Sequence, residues 1–235
     1  MICGKRLAVV LPAYEAARTL HRVLDALPAE GIDDLILVDD GSTDDTVALA
    51  RARGLFVHVH PQNRGYGANQ KSCYRLALER GADLVVMLHP DDQYPPELVL
   101  ALAEPIARGR YDVMLGSRVL GAGARAGGMP LYKYVANRAL TFVENVLLDY
   151  KLSEYHTGFR AWSRRSLQLI DWMGFEDGFV FDNEMLVAAI RGGLRVGELS
   201  VGARYPPDAS SIGFVGSVSY GLGVLRCAMK GRRWG

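Results

Sequence analysis

The chain has only three cysteines, Cys3, Cys73 and Cys227. Their odd number and lack of metal-type spacing argue against a disulfide framework and for a reducing compartment. No run approaches the roughly 18 consecutive apolar residues of a membrane span, and Leu7–Leu11 near the N-terminus is too short for a signal segment. The expected location is therefore cytoplasmic, and a membrane, if it matters, is touched at its cytoplasmic face rather than crossed. Charge of one sign is lacking too: 27 Lys and Arg stand against 26 Asp and Glu, a formal +1, so no bulk field draws nucleic acid. Internal repeats and low-complexity blocks are absent. What is there is an ordinary globular composition over 235 residues, 49% hydrophobic and 23% charged. At about 100–200 residues per domain that leaves room for one domain and no second enzyme.

The first half alternates short aliphatic or β-branched runs with longer helical patterns, as a parallel sheet with crossover helices does. Strands are expected at Arg6–Pro12, Leu35–Val38, Leu55–Val59, Leu84–Leu88 and Val113–Gly116, and helices at Thr19–Leu27, Thr43–Ala52, Tyr66–Arg80 and Glu97–Ala107. Ser42 and Thr43 followed by Asp44 and Asp45 read as a hydroxyl cap with acids at the positive end of a dipole. Gly121–Gly128, GAGARAGG, reads as a flexible loop. Beyond it come a helix at Leu131–Leu148, the polar stretch SEYHTGFRAWSRR, a helix at Asn183–Arg191 and a strand at Leu194–Val201. The fold class is α/β, with a less regular α+β second half in the same domain.

Open parallel sheets bind ligands beyond the carboxyl ends of their strands. Those ends carry five carboxylates and an arginine: Glu15, Asp39, Asp40, Asp91, Asp92 and Arg118. Of the adjacent pair Asp39-Asp40, one can accept hydrogen bonds from a base or ribose while the other organises the loop. In His89-Pro90-Asp91-Asp92-Gln93 an imidazole, a carboxylate and an amide oxygen recur at every second position and so point one way. That set suits a divalent cation bridging a diphosphate, Mg²⁺ by its oxygens or Mn²⁺ by its imidazole. Asn63–Asn69, NRGYGAN, lacks the third glycine of a dinucleotide fingerprint, which argues against a dehydrogenase; its Arg64 and amides can still approach a nucleotide.

The ordered set VVLPAYEAARTL, ILVDDGSTDDT, NRGYGANQKSCYRLAL, VVMLHPDDQYPPE, GSR, TGFRAWSR, FDNE and GELSVGARY resembles the family 2 glycosyltransferases of the GT-A fold, and within them the dolichyl-phosphate mannose and glucose synthase group. The resemblance implies a nucleotide-sugar-binding half over residues 1–118 and an acceptor-side half over 119–235. It places Pro12, Tyr14, Glu15, Asp39, Asp40, Arg64, Asp91, Asp92, Arg118 and Arg204 at the donor. The family's D-x-D metal motif falls on His89-Pro90-Asp91, with Gln93 following; the first aspartate is replaced by His89, which costs one negative charge and puts the metal's identity in question. Arg118 falls where a guanidinium neutralises phosphate. Lys133, Asn137 and Arg138 fall on the acceptor side, and Asp182, with Glu184, where inverting members often hold an acid. Asp91, Arg118 and Asp182 are the expected catalytic set, and Tyr155 and His156 are wall residues.

The expected reaction is inverting transfer of a hexose from a UDP-, GDP- or dTDP-linked donor to a polyprenyl phosphate, with a divalent cation. A lipid phosphate arrives ionised and needs no base; a soluble hydroxyl acceptor, the competing reading, needs one, and Asp182 is then the candidate. Asp182 also reads as a cap for the helix at Asn183. A third reading is a non-catalytic sugar-nucleotide module. The apolar, glycine-rich end from Ile212, closing on Arg232-Arg233-Trp234, suits either an anionic bilayer surface or a helix packed on the core with a frayed basic tail.

Overall fold

The computed structural model describes residues 1–121, 123–205 and 214–230; the Arg232-Arg233-Trp234 segment lies outside them. Among the described residues seven strands form one sheet in the order β3-β2-β1-β4-β6-β5-β7. They are β1 (Leu7–Ala13), β2 (Asp34–Asp39), β3 (Phe56–Val59), β4 (Leu84–Met87), β5 (Val113–Ser117), β6 (Arg160–Ser163) and β7 (Val196–Ser200). All run parallel except β6, which pairs antiparallel with both β4 and β5. This mixed sheet is the α/β architecture expected.

Period-two alternation in β1 explains the layering. Ala8 and Val10 join Ile36, Val38, Val85 and Met87 in one core, while Leu7, Val9 and Leu11 join Leu37, Leu84 and Val86 in the other. Both faces are therefore covered, which is why the strands are continuously apolar. Helices α3 (Tyr66–Glu79) and α8 (Phe181–Arg191) cover the first face, and α1 (Ala17–Asp25) and α4 (Val99–Ala107) the second. The long helices α6 (Leu131–Leu148) and α9 (Phe214–Lys230) pack on each other and on α8, forming an outer layer.

Three local expectations are corrected. The second helix, α2 (Thr46–Ala52), begins three residues later than its hydroxyl pair suggested. Ser42 Oγ instead accepts from the Glu15 amide at 2.8 Å, and the Thr43 amide donates to Glu15 Oε1 at 2.8 Å. The GAGARAGG segment holds a short helix, α5 (Gly123–Ala126). Its glycines serve close packing: a Cβ on Gly127 would lie 1.6 Å from the Ala203 carbonyl oxygen. The polar stretch contains β6 and the start of a short helix, α7 (Arg164–Leu169). Only four residues long and opening on an arginine, β6 carries no apolar alternation to read.

Candidate active site

The carboxyl ends of β1, β2 and β4 meet at one edge of the sheet. Glu15, directly after β1, adopts a left-handed φ of 51° that brings its carboxylate to the loop after β2. Asp39 is fully buried; its Oδ2 accepts the amides of Gly41 and Ser42 at 3.1 and 2.9 Å, and its Oδ1 is buried without a hydrogen-bond partner. Asp40 accepts from the amides of Arg64 and Gly65, each at 3.0 Å, and contacts His60 Nδ1 at 2.7 Å. Asp40 thus ties the second loop to the third, and the oxygen left over at this strand end belongs to Asp39.

Two adjoining cavities open there. The larger, about 790 Å³, is lined by Pro12, Tyr14, Glu15, Asp40, Asn69 and Asp91 among others. The smaller, about 200 Å³, is lined by Gln93, Tyr94, His156, Gly158, Asp182 and Tyr220. Tyr66, His89, Asp91 and Phe179 line both and form the passage between them. Asp39 stands behind the wall of the larger cavity. The Arg64 side chain is exposed and joins neither wall.

The passage is organised by Tyr66, which the sequence did not single out. Its hydroxyl donates to Asp182 Oδ2 at 2.6 Å and lies 3.1 Å from His89 Nε2, while its ring stacks on His89 with centroids 5.3 Å apart. A phenol has one proton to give. With that proton on Asp182, the contact to His89 requires Nε2–H to donate, so this nitrogen's lone pair is not offered to a cation. Gly158 makes the packing possible, since a Cβ there would meet His89 Nε2 at 2.7 Å.

Of the expected ligand set His89, Asp91 and Gln93, His89 is therefore left with Nδ1 alone to offer a cation. Among the described residues no group of three or more His, Cys, Asp or Glu is arranged around a common point. Asp91 does fit a cation. Desolvation raises its carboxyl above the usual range, with His89's charge pulling the other way; such a carboxylate lacks countercharge. Mg²⁺ accepts a site of one carboxylate completed by water and substrate phosphate. Gln93 lines the smaller cavity, and its backbone N–H donates to Asp91 Oδ1 at 3.1 Å.

Five further residues stand differently from expectation. The Arg118 guanidinium is already neutralised: Nε and Nη2 donate to Glu154 Oε1, its amide donates to Oε2 at 2.8 Å, and Nη2 donates to the His156 carbonyl at 2.7 Å. Glu154 is fully buried, and although burial opposes it, Arg118's charge and hydrogen bonds hold the carboxyl below its usual range. Asn137 donates to the same Glu154 oxygen at 2.9 Å, so its amide is committed as well. Arg138 donates to the Ser153 carbonyl at 2.7 Å, and neither it nor Lys133 lines either of these two cavities. Asp92 turns away, with a left-handed φ of 60°, toward Arg22 at 3.2 Å and Arg204 at 3.6 Å.

Asp182 lies inside α8, whose cap is Val180, so the cap reading is excluded. Behind it sits Arg160, wholly buried on β6, donating to the carbonyls of Thr157, Tyr155 and Asp182 and standing 3.9 Å from Asp182 Oδ1. Glu184 points elsewhere and accepts from the Glu176 amide at 2.7 Å.

His156 does form part of a wall. Its Nδ1 lies 2.9 Å from the Tyr220 hydroxyl, and its Nε2 lies 3.2 Å from Glu144 Oε2 without hydrogen-bond alignment. Burial pushes Glu144 up to about 8 and His156 down to about 4. The two act on stability in opposite directions. His156 binds fewer protons folded than unfolded, so its contribution is complete above its ordinary 6.5. Glu144 binds more protons folded, so stability falls as pH rises from its ordinary 4.5 through about 8. The urea midpoint should therefore decline between about pH 6.5 and 8, and Glu144→Gln should flatten that decline; an unchanged slope in the variant would place the linkage elsewhere.

The profile of Glycosyl transferase family 2 matches residues 8–170. The chain belongs to that family. It is 26% identical over 221 residues to the UDP-N-acetylglucosamine–dolichyl-phosphate N-acetylglucosaminyltransferase of Methanococcus voltae, covering 87% of this chain and 88% of that one. It is 27% identical over 229 residues to the dolichyl-phosphate hexose transferase of Haloferax volcanii, covering 96% and 95%. Glucosyl-3-phosphoglycerate synthase of Mycobacterium tuberculosis, crystallised with UDP, superposes with a TM-score of 0.73 at 23% identity over 96% of this chain and 79% of that one. At that identity the likeness is one of fold, and the fold is GT-A. The protein is accordingly a glycosyltransferase, and the non-catalytic reading is set aside.

Proposed function

We propose that this family 2 glycosyltransferase carries a hexosyl unit from a nucleotide-diphosphate sugar to a polyprenyl phosphate, with inversion at the anomeric carbon. The observation that carries the reading is the pair of cavities meeting at Asp91, one large enough for a nucleotide and one beyond it for the acceptor. Relatives of nearly equal length bear names that specify dolichyl phosphate, and this supports the acceptor class. In the step itself an acceptor oxygen bonds to the anomeric carbon as the bond to the diphosphate breaks, and the nucleoside diphosphate leaves with the electron pair. A divalent cation, Mg²⁺ or Mn²⁺, held by Asp91 would offset charge on that leaving group. The residues of the chain bind and orient. Asp39, through the Gly41 and Ser42 amides it holds, shapes the loop at the base end, Pro12, Tyr14 and Glu15 flank the nucleotide, and Tyr66 fixes Asp182 at the acceptor side.

One observation favours a second reading. Among the described residues, the smaller cavity is lined by Asp91, Asp182, three tyrosines and two histidines, and by no lysine or arginine. A hydroxyl acceptor suits such a lining better than a phosphate does, and Asp182 would then take its proton. Incubation with UDP-, GDP- and dTDP-sugars and either a polyprenyl phosphate or soluble alcohols, with and without Mn²⁺, decides between them. Transfer to alcohols alone overturns the lipid-phosphate reading. For the donor end, Asp39→Ala is expected to weaken nucleotide binding by about 1 to 3 kcal/mol, the scale of the charged hydrogen bonds by which it holds the Gly41–Ser42 loop. Unchanged affinity by calorimetry would remove Asp39 from the donor site.

A further inference from the structure

Helix α6 is built inside out. Its buried residues are Asn137, Thr141 and Glu144, all polar, and they bond inward to Glu154, to one another and to Asn183. Its outward face carries Leu131, Val135, Phe142 and Val146, exposed to 63, 56, 68 and 66%. These positions fall at helical spacing along one stripe, with Ala139 between them. A helix of a soluble protein turns such a stripe toward the core. Beside it, α9 adds Leu222 and Met229, each 65% exposed, and a Cβ on Gly221 of α9 would lie 3.8 Å from Leu140 of α6. The charge is one-sided as well: over α6 and α9 the sole acid is the fully buried Glu144, whereas the exposed Arg138 and Arg226 border the apolar face, Lys133 lying on the inner side with Asn137.

We infer that the outer face of α6, extended by α9, docks on the surface of an anionic bilayer. An apolar stripe bordered by arginines and free of exposed carboxylates along its length, Asp149 standing only at its C-terminal end, is what a helix lying in the headgroup region presents. The geometry also orients the site. Glu144 and Tyr220, on the inner faces of these two helices, reach His156 in the wall of the smaller cavity. Docking therefore sets that cavity about one helix diameter from the bilayer, roughly 10–12 Å. The inference deepens the polyprenyl-phosphate reading, because a membrane-borne acceptor must be met at the membrane.

The test is co-sedimentation of the full chain with phosphatidylcholine vesicles, with and without phosphatidylglycerol. Partition is expected only with the anionic lipid, decreasing as salt screens the cations, and Phe142→Asp should lower it about tenfold or more, the scale of one aromatic side chain withdrawn from an apolar phase. Phe142 is exposed, so the variant should keep its circular dichroism and its affinity for UDP, which separates lost docking from misfolding. Absence of partition by the unaltered chain, or partition undiminished in Phe142→Asp, overturns the inference. So does a vesicle-free dimer that Phe142→Asp converts to a monomer, since a second copy would then cover the stripe. The acceptor reading fails separately: transfer to alcohols but to no polyprenyl phosphate, with vesicle binding intact, overturns that reading and leaves the docking surface standing.

Discussion

Replacing Asp91 by Ala is expected to lower kcat/KM for sugar transfer by about 10²–10³-fold, the loss seen when one preorganised charge-stabilising group is removed from an active site. The protein's urea midpoint should hardly move. Asp91 lines both cavities and ends no structural network beyond the amide of Gln93 in its own turn. Desolvation already raises its carboxyl, so its removal relieves the fold of an uncompensated charge while stripping the passage of the one carboxylate suited to a divalent cation. Unaltered enzyme should lose turnover on addition of EDTA and regain it with Mg²⁺ or Mn²⁺, and the variant should lose that response. Activity undiminished by both EDTA and Asp91→Ala would place the countercharge for the leaving group on other residues. Arg118 is an unpromising substitute, because Glu154 already occupies its guanidinium.

What could be read in advance was whatever is local in the chain. The parallel strands announced themselves through aliphatic runs, and the strand-end acids through their places directly after those runs. What could not be read depends on long-range partners. Tyr66 and Asp182 are 116 residues apart in sequence and 2.6 Å apart in space. Arg118 looks like a phosphate ligand until Glu154, 36 residues on, is found against it. His89 occupies a metal position by spacing, yet the direction of its Nε2 proton follows only from Tyr66. Helix α6 misled for another reason: periodicity identifies an apolar stripe but not the side it faces, and here the polar side went inward. Of Lys133, Asn137 and Arg138, which the resemblance places at the acceptor, Asn137 alone is buried.

The same blindness hid Arg160, whose substitution carries the largest expected cost to stability. It sits on the one antiparallel strand, between β4 and β5, with its side chain wholly enclosed. There it donates to three carbonyls, those of Thr157, Tyr155 and Asp182, and faces the Asp182 carboxylate at 3.9 Å. Arg160→Met fills much of the volume but leaves those carbonyls without a donor and the carboxylate without its cation. Breaking a buried ionic arrangement from one side typically costs about 3–5 kcal/mol, and denaturant titration should return a loss of that size. Arg160→Lys should recover part of it, because an ammonium restores the charge but lacks the planar fork that reaches several carbonyls at once. In whatever fraction stays folded, the acceptor side should suffer more than the donor side. Asp182 and the Tyr155–Gly158 turn both lean on Arg160, whereas Asp39 and Glu15 do not. A higher KM for acceptor with unchanged affinity for UDP is the expected pattern, and equal losses on both sides would show that Arg160 supports the sheet as a whole rather than the acceptor wall.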